Sequence, residues 1–168
     1  MELDNKWVLW EHPVDCNDWT IDGYNKLEPK MHDADTFWSI TNNMSELGIE
    51  FTNFYLMQDG IEPTWEDRHN RNGGTCSFKV DIKDVPKFWE LLTTHMVTNN
   101  VVDSDLEDSD DMITGLSVSP KIGGKFSWGI IKIWNSNGKN DISQTLNEDI
   151  LDAFQDISIK YKETKPEH

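Results

Sequence analysis

The sequence predicts an α+β domain, an antiparallel sheet carrying helices on one face. Three observations predict it. Several short runs alternate apolar and polar residues, three other segments carry the helical period, and 168 residues suit a single domain spanning 1–168. Half-polar alternation belongs to an antiparallel sheet with one covered face, not to a doubly buried parallel one.

Along the chain, Trp7 to Trp10 reads as the first strand, and Phe51 to Met57 as the second. Between them Asp33 or Asp35 can cap a helix whose Phe37, Ile40, Met44 and Leu47 form one stripe, ending at Gly48. Cys76, Phe78, Val80 and Ile82 alternate with Ser77, Lys79 and Asp81, the clearest strand of all. A second helix opens at Asp84, has Pro86 in its first turn and uses Phe88, Leu91, Leu92 and Met96. Strands follow at Gly115 to Ser119 and Gly129 to Trp134. Thr145 and Glu148 have capping-box spacing ahead of Ile150, Leu151 and Phe154, and a last strand covers Ile157 to Tyr161. Two connections, Gln58 to Thr75 and about Asn99 to Thr114, exceed the roughly 12 to 15 residues beyond which a loop tends to be functional or disordered.

Charge narrows the function. Lys plus Arg number 15 against 31 Asp plus Glu, a formal −16. Such a polyanion repels a nucleic-acid backbone and anionic membranes, so a protein gripping many phosphates through a basic groove is excluded. No apolar run approaches the roughly 18 residues of a membrane span, and the first residues lack a signal-peptide pattern. A soluble intracellular protein is expected, with Cys16 and Cys76 as free thiols.

Eight tryptophans, at positions 7, 10, 19, 38, 65, 89, 128 and 134, are many for a domain of this size. Pro63 biases Glu62 toward extended backbone, which places Trp65 and Glu66 outside regular helix. A loop indole followed at once by a carboxylate offers a π face beside a hydrogen-bond acceptor. Guanine suits that pair, because one carboxylate can accept both N–H donors of its Watson–Crick edge while a second aromatic covers the opposite face. Methylation at N7 makes the base cationic and adds a cation–π attraction. Trp19, in the polar stretch Asn17-Asp18-Trp19-Thr20, is the best second face. The alternative is that Trp65 plugs the sheet edge and Glu66 is solvated.

Asp59-Gly-Ile-Glu-Pro-Thr-Trp-Glu-Asp67, followed by Asn70 and Gly73-Gly74, resembles the signature loop of the eukaryotic translation initiation factor 4E family, the mRNA cap-binding proteins. Trp7-Val8-Leu9-Trp10, Phe37-Trp38, Phe88-Trp89 and Ile131-Lys132-Ile133-Trp134 resemble further family segments, in family order over roughly residues 5 to 161. The resemblance implies a curved antiparallel sheet with three helices on its convex face and the 7-methylguanosine cap of mRNA in the concave face. It implies Trp19 and Trp65 as the stacking pair, Glu66 as reader of the guanine N1 and N2 donors, and Trp134 as the contact to the N7-methyl group.

The phosphate side departs from the family pattern. Lys121 falls where an Arg is usual, Thr75 replaces the Arg that follows the Gly-Gly pair, and Ile130 replaces a Lys four residues before Trp134. Lys125, in the lengthened hairpin Lys121-Ile-Gly-Gly-Lys125, is the expected substitute; the alternative is a solvated hairpin tip. The Gly-Gly-Lys lacks Walker spacing and its Ser or Thr.

A second surface is expected on the helices. Trp38 lies about 100° past Phe37 and off the apolar stripe, which suits a partner contact, or burial under the N-terminal segment. The resemblance implies that Trp38, with Leu91 and Leu92 of the second helix, receives a helical motif from an initiation factor 4G-like scaffold or a 4E-binding regulatory protein. His12-Pro13 is not the family's dorsal His-Pro pair, which precedes the first strand.

The acidic run Asp103 to Asp111 lacks the glycine and distal glutamate of an EF-hand and is expected to be a solvated loop. No nucleophile, base and orienter assemble, so no catalysis, cofactor or metal is expected. The expectation is a monomeric cap-binding protein of translation initiation, or alternatively a cap-binding repressor or competitor. It would act in the cytoplasm, the host's if the gene is viral.

Overall fold

The computed structural model describes residues 2–41, 48–103 and 110–165. Seven strands form one sheet: β1 (Glu2–Pro13), β2 (Asn25–Asp33), β3 (Thr52–Gln58), β4 (Gly74–Asp81), β5 (Ile113–Ile122), β6 (Ser127–Asn135) and β7 (Ile159–Glu163), in the order β2-β1-β3-β5-β6-β4-β7. Every neighbouring pair is antiparallel. Three α-helices are described, α1 (Ala34–Thr41), α2 (Val85–Val97) and α3 (Glu148–Ala153). The α+β architecture is the expected one.

Strand period two sorts the side chains. Leu9, Phe54, Leu56, Leu116, Val118, Ile131, Ile133, Cys76 and Phe78 fall on the back face and are buried. Helix α1 adds Phe37, and α2 adds Phe88, Trp89, Leu92 and Met96. Phe154, just past α3, lies 4.3 Å from both Phe78 and Phe88 ring centroids and so ties the sheet to α2. Burying each such side chain stabilises the fold by about 1.5–3 kcal/mol. Gly129 admits α2 to the sheet, since a Cβ there would stand 2.3 Å from Val85 Cγ2. Cys76 and Cys16 are free thiols, and burial pushes the Cys76 thiol up to about 12.

Local signals behave unevenly. Asp33 caps α1 by accepting from the Thr36 amide at 2.8 Å. Met44 and Leu47, expected on the same stripe, lie outside the described residues. Asp84 precedes α2, with Pro86 in its first turn. For α3 the cap is Asn147, which accepts from Asp149 N at 2.8 Å; Thr145 instead ends the preceding 3-10 turn. Strand β2 carries no alternation signal and contains Pro29, which a sheet tolerates at its edge, where β2 lies.

Asp111 departs from the expected solvated acidic loop. It is buried, and its carboxylate accepts from Met112 N, Ser136 Oγ, Asn137 N, Asn135 Nδ2 and Asn140 Nδ2 at 2.7–3.1 Å. It thereby organises the turn leaving β6. Residues 104–109 of that run are outside the described residues, and no metal-binding cluster occurs among the described ones.

Candidate functional site

The loop joining β3 to β4 is held by two of its own residues. Asp67 accepts from Glu62 N at 2.9 Å and His69 N at 2.8 Å. Asn70 is buried; its Nδ2 donates to the carbonyls of Glu62 and Thr64, both at 3.0 Å, and its Oδ1 accepts from Thr114 Oγ1 on β5 at 2.8 Å. Gly73 packs so tightly that a Cβ would lie 2.0 Å from Asn135 O. These bonds close a ring around Pro63 and Thr64, which are buried, while Trp65 and Glu66 beside them are exposed.

Trp65 lands on the front face of the sheet. Trp134 on β6 pairs with Gly115 on β5, and its Nε1 donates to Ser117 Oγ at 3.0 Å. The Trp65 and Trp134 rings are stacked, 4.2 Å apart and 2° from parallel. Trp134 is 3% exposed and Trp65 39%.

Trp19 is arranged in the same way across the face. His12, buried on β1, donates from Nε2 to Asp18 O at 2.8 Å. Asp18 Oδ1 accepts from Thr20 N at 2.9 Å, and the Thr20 hydroxyl and amide together hold the Asp18 carboxyl below its usual value. With both neighbours fixed, Trp19 stacks on His12 at 4.0 Å and 11° and stays 56% exposed. Gly23 is required here, because a Cβ would meet Asp18 O at 1.8 Å.

Both indoles border one cavity of about 180 Å³, floored by Tyr55 and Ser117 and rimmed by Glu66 and Lys132. That is below the roughly 300 Å³ of pockets enclosing whole drug-sized ligands, so the volume suits a base with its attached groups outside. Tyr24 and Tyr55 meet edge to face at 5.3 Å. Burial raises the Tyr55 phenol well above its usual value; burial also raises Tyr24, and the Glu66 charge pushes it the same way. Lys132 is half-buried: desolvation lowers its value, and the charges of Lys121 and Lys162 lower it further.

The sequence model of the family "Eukaryotic initiation factor 4E" matches residues 2–168. The chain belongs to the eukaryotic initiation factor 4E family. Among its curated relatives, eukaryotic translation initiation factor 4E-1A of Danio rerio is 29% identical over 167 residues, 96% of this chain and 68% of that protein. Human eukaryotic translation initiation factor 4E is 28% identical over 144 residues, 82% of this chain and 62% of that one. The fold is shared with C. elegans eIF4E-3 in complex with the 4E-binding protein Mextli, at a TM-score of 0.77 and 22% identity, covering 98% of this chain and 93% of that chain. It is shared also with Ascaris suum eIF4E-3 in complex with m7G cap, at a TM-score of 0.74 and 22% identity, covering 99% and 92%.

Against the 4E resemblance, Trp19, Trp65 and Glu66 come together as expected around one cavity. Trp134 lines the same cavity and also stacks against Trp65, so it backs that indole as well as bordering the space. Lys121 and Lys125 are both exposed and outside the cavity wall, Lys121 opposite Trp128 and Lys125 at the hairpin tip with Nζ 5.8 Å from the Phe126 ring. The basic residue at the cavity is Lys132, which the sequence reading misses, as it does His12. Strand alternation marks both: Lys132 is two residues from Trp134, and His12 two from Trp10. On the helices, Trp38 is half-buried beside Phe37 and Leu91 is half-buried. Leu92 is 1% exposed and faces the core, so it is not available to a partner.

Proposed function

We propose that this chain binds the 7-methylguanosine cap of mRNA and acts, without catalysing a reaction, in cytoplasmic translation initiation. The observation that carries the reading is the pair Trp19 and Trp65, each backed by another aromatic and each open to one cavity with Glu66 at its rim. A methylated guanine slides between the two indoles, and its N1 and N2 donors meet the Glu66 carboxylate. The backing rings fix the indoles in place, so little side-chain entropy remains to be lost on binding.

Lys132 takes the first phosphates, with Lys121 further along the same face. Lys162 pairs across the strands with Thr75, at the place where the family resemblance expects an Arg, and restores a charge there from the neighbouring strand. Behind the sheet, Trp38 and Leu91 offer a helical motif of a 4G-type scaffold or a 4E-binding protein its apolar contacts. The monomer is the working unit. Thr75 and Ile130 favour a second reading, a cap-binding repressor or competitor that does not support initiation.

Titrating intrinsic fluorescence with 7-methylguanosine triphosphate and with GTP tests cap binding. Strong quenching by the first and weak quenching by the second is expected; equal or absent binding overturns it. Adding the chain to a cap-dependent translation extract depleted of its own cap-binding factor separates the two roles, since only an initiation factor restores synthesis.

A further inference from the structure

The front face continues past the cap cavity into a second aromatic and basic patch. Along β6, Trp134, Lys132, Ile130 and Trp128 alternate onto the front. Two residues of strand advance about 6.6–6.8 Å, so Trp128 stands about 13 Å beyond Lys132 and about 20 Å beyond Trp134. Phe126, in the hairpin turn just before β6, is 61% exposed, with its ring 6.2 Å from that of Trp128. Isolated exposed apolar residues need no explanation, but an exposed Phe126 beside a half-buried Trp128 at the end of a pocket-bearing face does.

Charge says what covers them. Lys79 Nζ lies 4.5 Å from the Trp128 ring, Lys121 pairs with Trp128 across β5, and Lys125 sits beside Phe126. The one carboxylate in this row, Asp81, is turned to accept from Lys83 N at 3.1 Å. In a chain of net charge −16, lysines gathered around two aromatics on one face select an anionic partner with flat apolar groups. A single-stranded nucleic acid has that composition, its bases stacking on aromatic rings and its phosphates meeting lysines.

We propose that Phe126 and Trp128, with Lys79, Lys121 and Lys125, form a stacking site for the first transcribed nucleotides of a capped RNA. The proposal rests on the cap reading, which sends the triphosphate bridge out of the cavity at Lys132 and along β6 toward Trp128. The chain then holds a capped RNA by its cap and by the nucleotides immediately following it.

Calorimetry with 7-methylguanosine triphosphate and with a cap-bearing penta-adenylate tests this. At about 1 kcal/mol per stacked base, the capped oligonucleotide should bind at least about fivefold more tightly than the cap nucleotide. Phe126→Ala and the double variant with Trp128→Ala should reduce and then abolish that gain, while binding of the cap nucleotide stays within about twofold. Retained nucleotide binding also reports that each variant is folded. A capped chain whose first two nucleotides are abasic should lose the gain too. Equal affinity of the two ligands for the unaltered protein, or a gain that survives the Phe126→Ala and double substitutions, overturns the proposal and leaves the patch to a protein partner. No binding of the cap nucleotide by the unaltered protein would instead overturn the cap reading and this site with it.

Discussion

The Trp65 and Trp134 rings lie 4.2 Å apart and 2° from parallel, with Trp134 pinned by its hydrogen bond to Ser117. The loop indole is therefore positioned by the sheet, and not by the loop alone. Removing the support should loosen Trp65. Trp134→Ala is expected to weaken binding of 7-methylguanosine triphosphate by up to about tenfold, and Trp134→Phe by less, because an aromatic pair is worth about 0.5–1.5 kcal/mol beyond its buried area. Fluorescence or calorimetric titration of both variants measures it; equal losses would show that Trp134 touches the ligand through its indole edge.

Glu66 is exposed and borders the cavity, close enough to Tyr24 for its charge to act on the phenol. Replacing it by Ala leaves the guanine donors unpaired between two indoles. The expected loss exceeds about 2 kcal/mol, roughly thirtyfold in affinity, the range for a charged hydrogen-bond partner. Folding stability should hardly change, since the residue packs against nothing it must support. A loss under threefold in cap affinity would remove Glu66 from the site.

Lys132 trades stability for a charge at the cavity. Burial, then the charges of Lys121 and Lys162, hold it below the ordinary lysine value of 10.5. Between the lowered value and 10.5 the unfolded chain binds more protons than the folded one, so this group's penalty is full below that window and relaxes as pH rises through it. Lys132→Met removes the penalty. The variant is expected to unfold at a higher urea concentration than the parent at pH 7, with the difference shrinking toward pH 10. Affinity for 7-methylguanosine triphosphate should fall about tenfold, while affinity for the cap nucleoside without phosphates is kept. A variant that binds both as the parent does would return the phosphate role to Lys121 and Lys125.

The contrast between Lys132 and Lys125 shows what the sequence discloses. Alternation along β6 places Lys132 beside Trp134 on one face, so the residue is legible from strand period alone. The resemblance, by contrast, carries positions along a chain, and a lengthened hairpin shifts Lys125 away from the cavity. Strand β2 is hidden for a different reason: an edge strand needs neither alternation nor a full set of donors, so Lys-Leu-Glu-Pro-Lys leaves no periodic mark. Six strands and the starts of two helices are readable because burial on one face forces period 2 or 3.6 on them. Leu91 and Leu92 are adjacent in α2, and only packing decides which of them faces the core.

Asp111 offers a stability test away from the cavity. Its carboxylate serves five donors, and Asp111→Ala leaves half-buried Asn137 N and Asn140 Nδ2 without an acceptor, while Met112 N keeps Ser136 Oγ and Asn135 Nδ2 keeps two carbonyls. The expected cost is about 3 kcal/mol, or a fall of roughly 6–12 °C in Tm for a domain of this size. Thermal unfolding followed by circular dichroism reads it directly. A change below about 1 kcal/mol would mean that water replaces the carboxylate and that the turn after β6 does not depend on it.

The helical face separates two neighbouring leucines. Leu91 is half-buried at the surface of α2, whereas Leu92 is 1% exposed within the core. Truncating Leu92 should therefore cost about 2–5 kcal/mol of stability, as a buried Leu→Ala change does. Truncating Leu91 or Trp38, both half-buried against the core, should cost less stability than that but weaken binding of a helical peptide from a 4E-binding protein, Trp38 by about tenfold or more, since a few anchors, tryptophan prominent among them, carry most of such an interface. Peptide anisotropy and urea unfolding on the three variants give the two readouts. If Trp38→Ala left peptide affinity intact, the partner would have to dock elsewhere, and the convex face would be only the outer wall of the core.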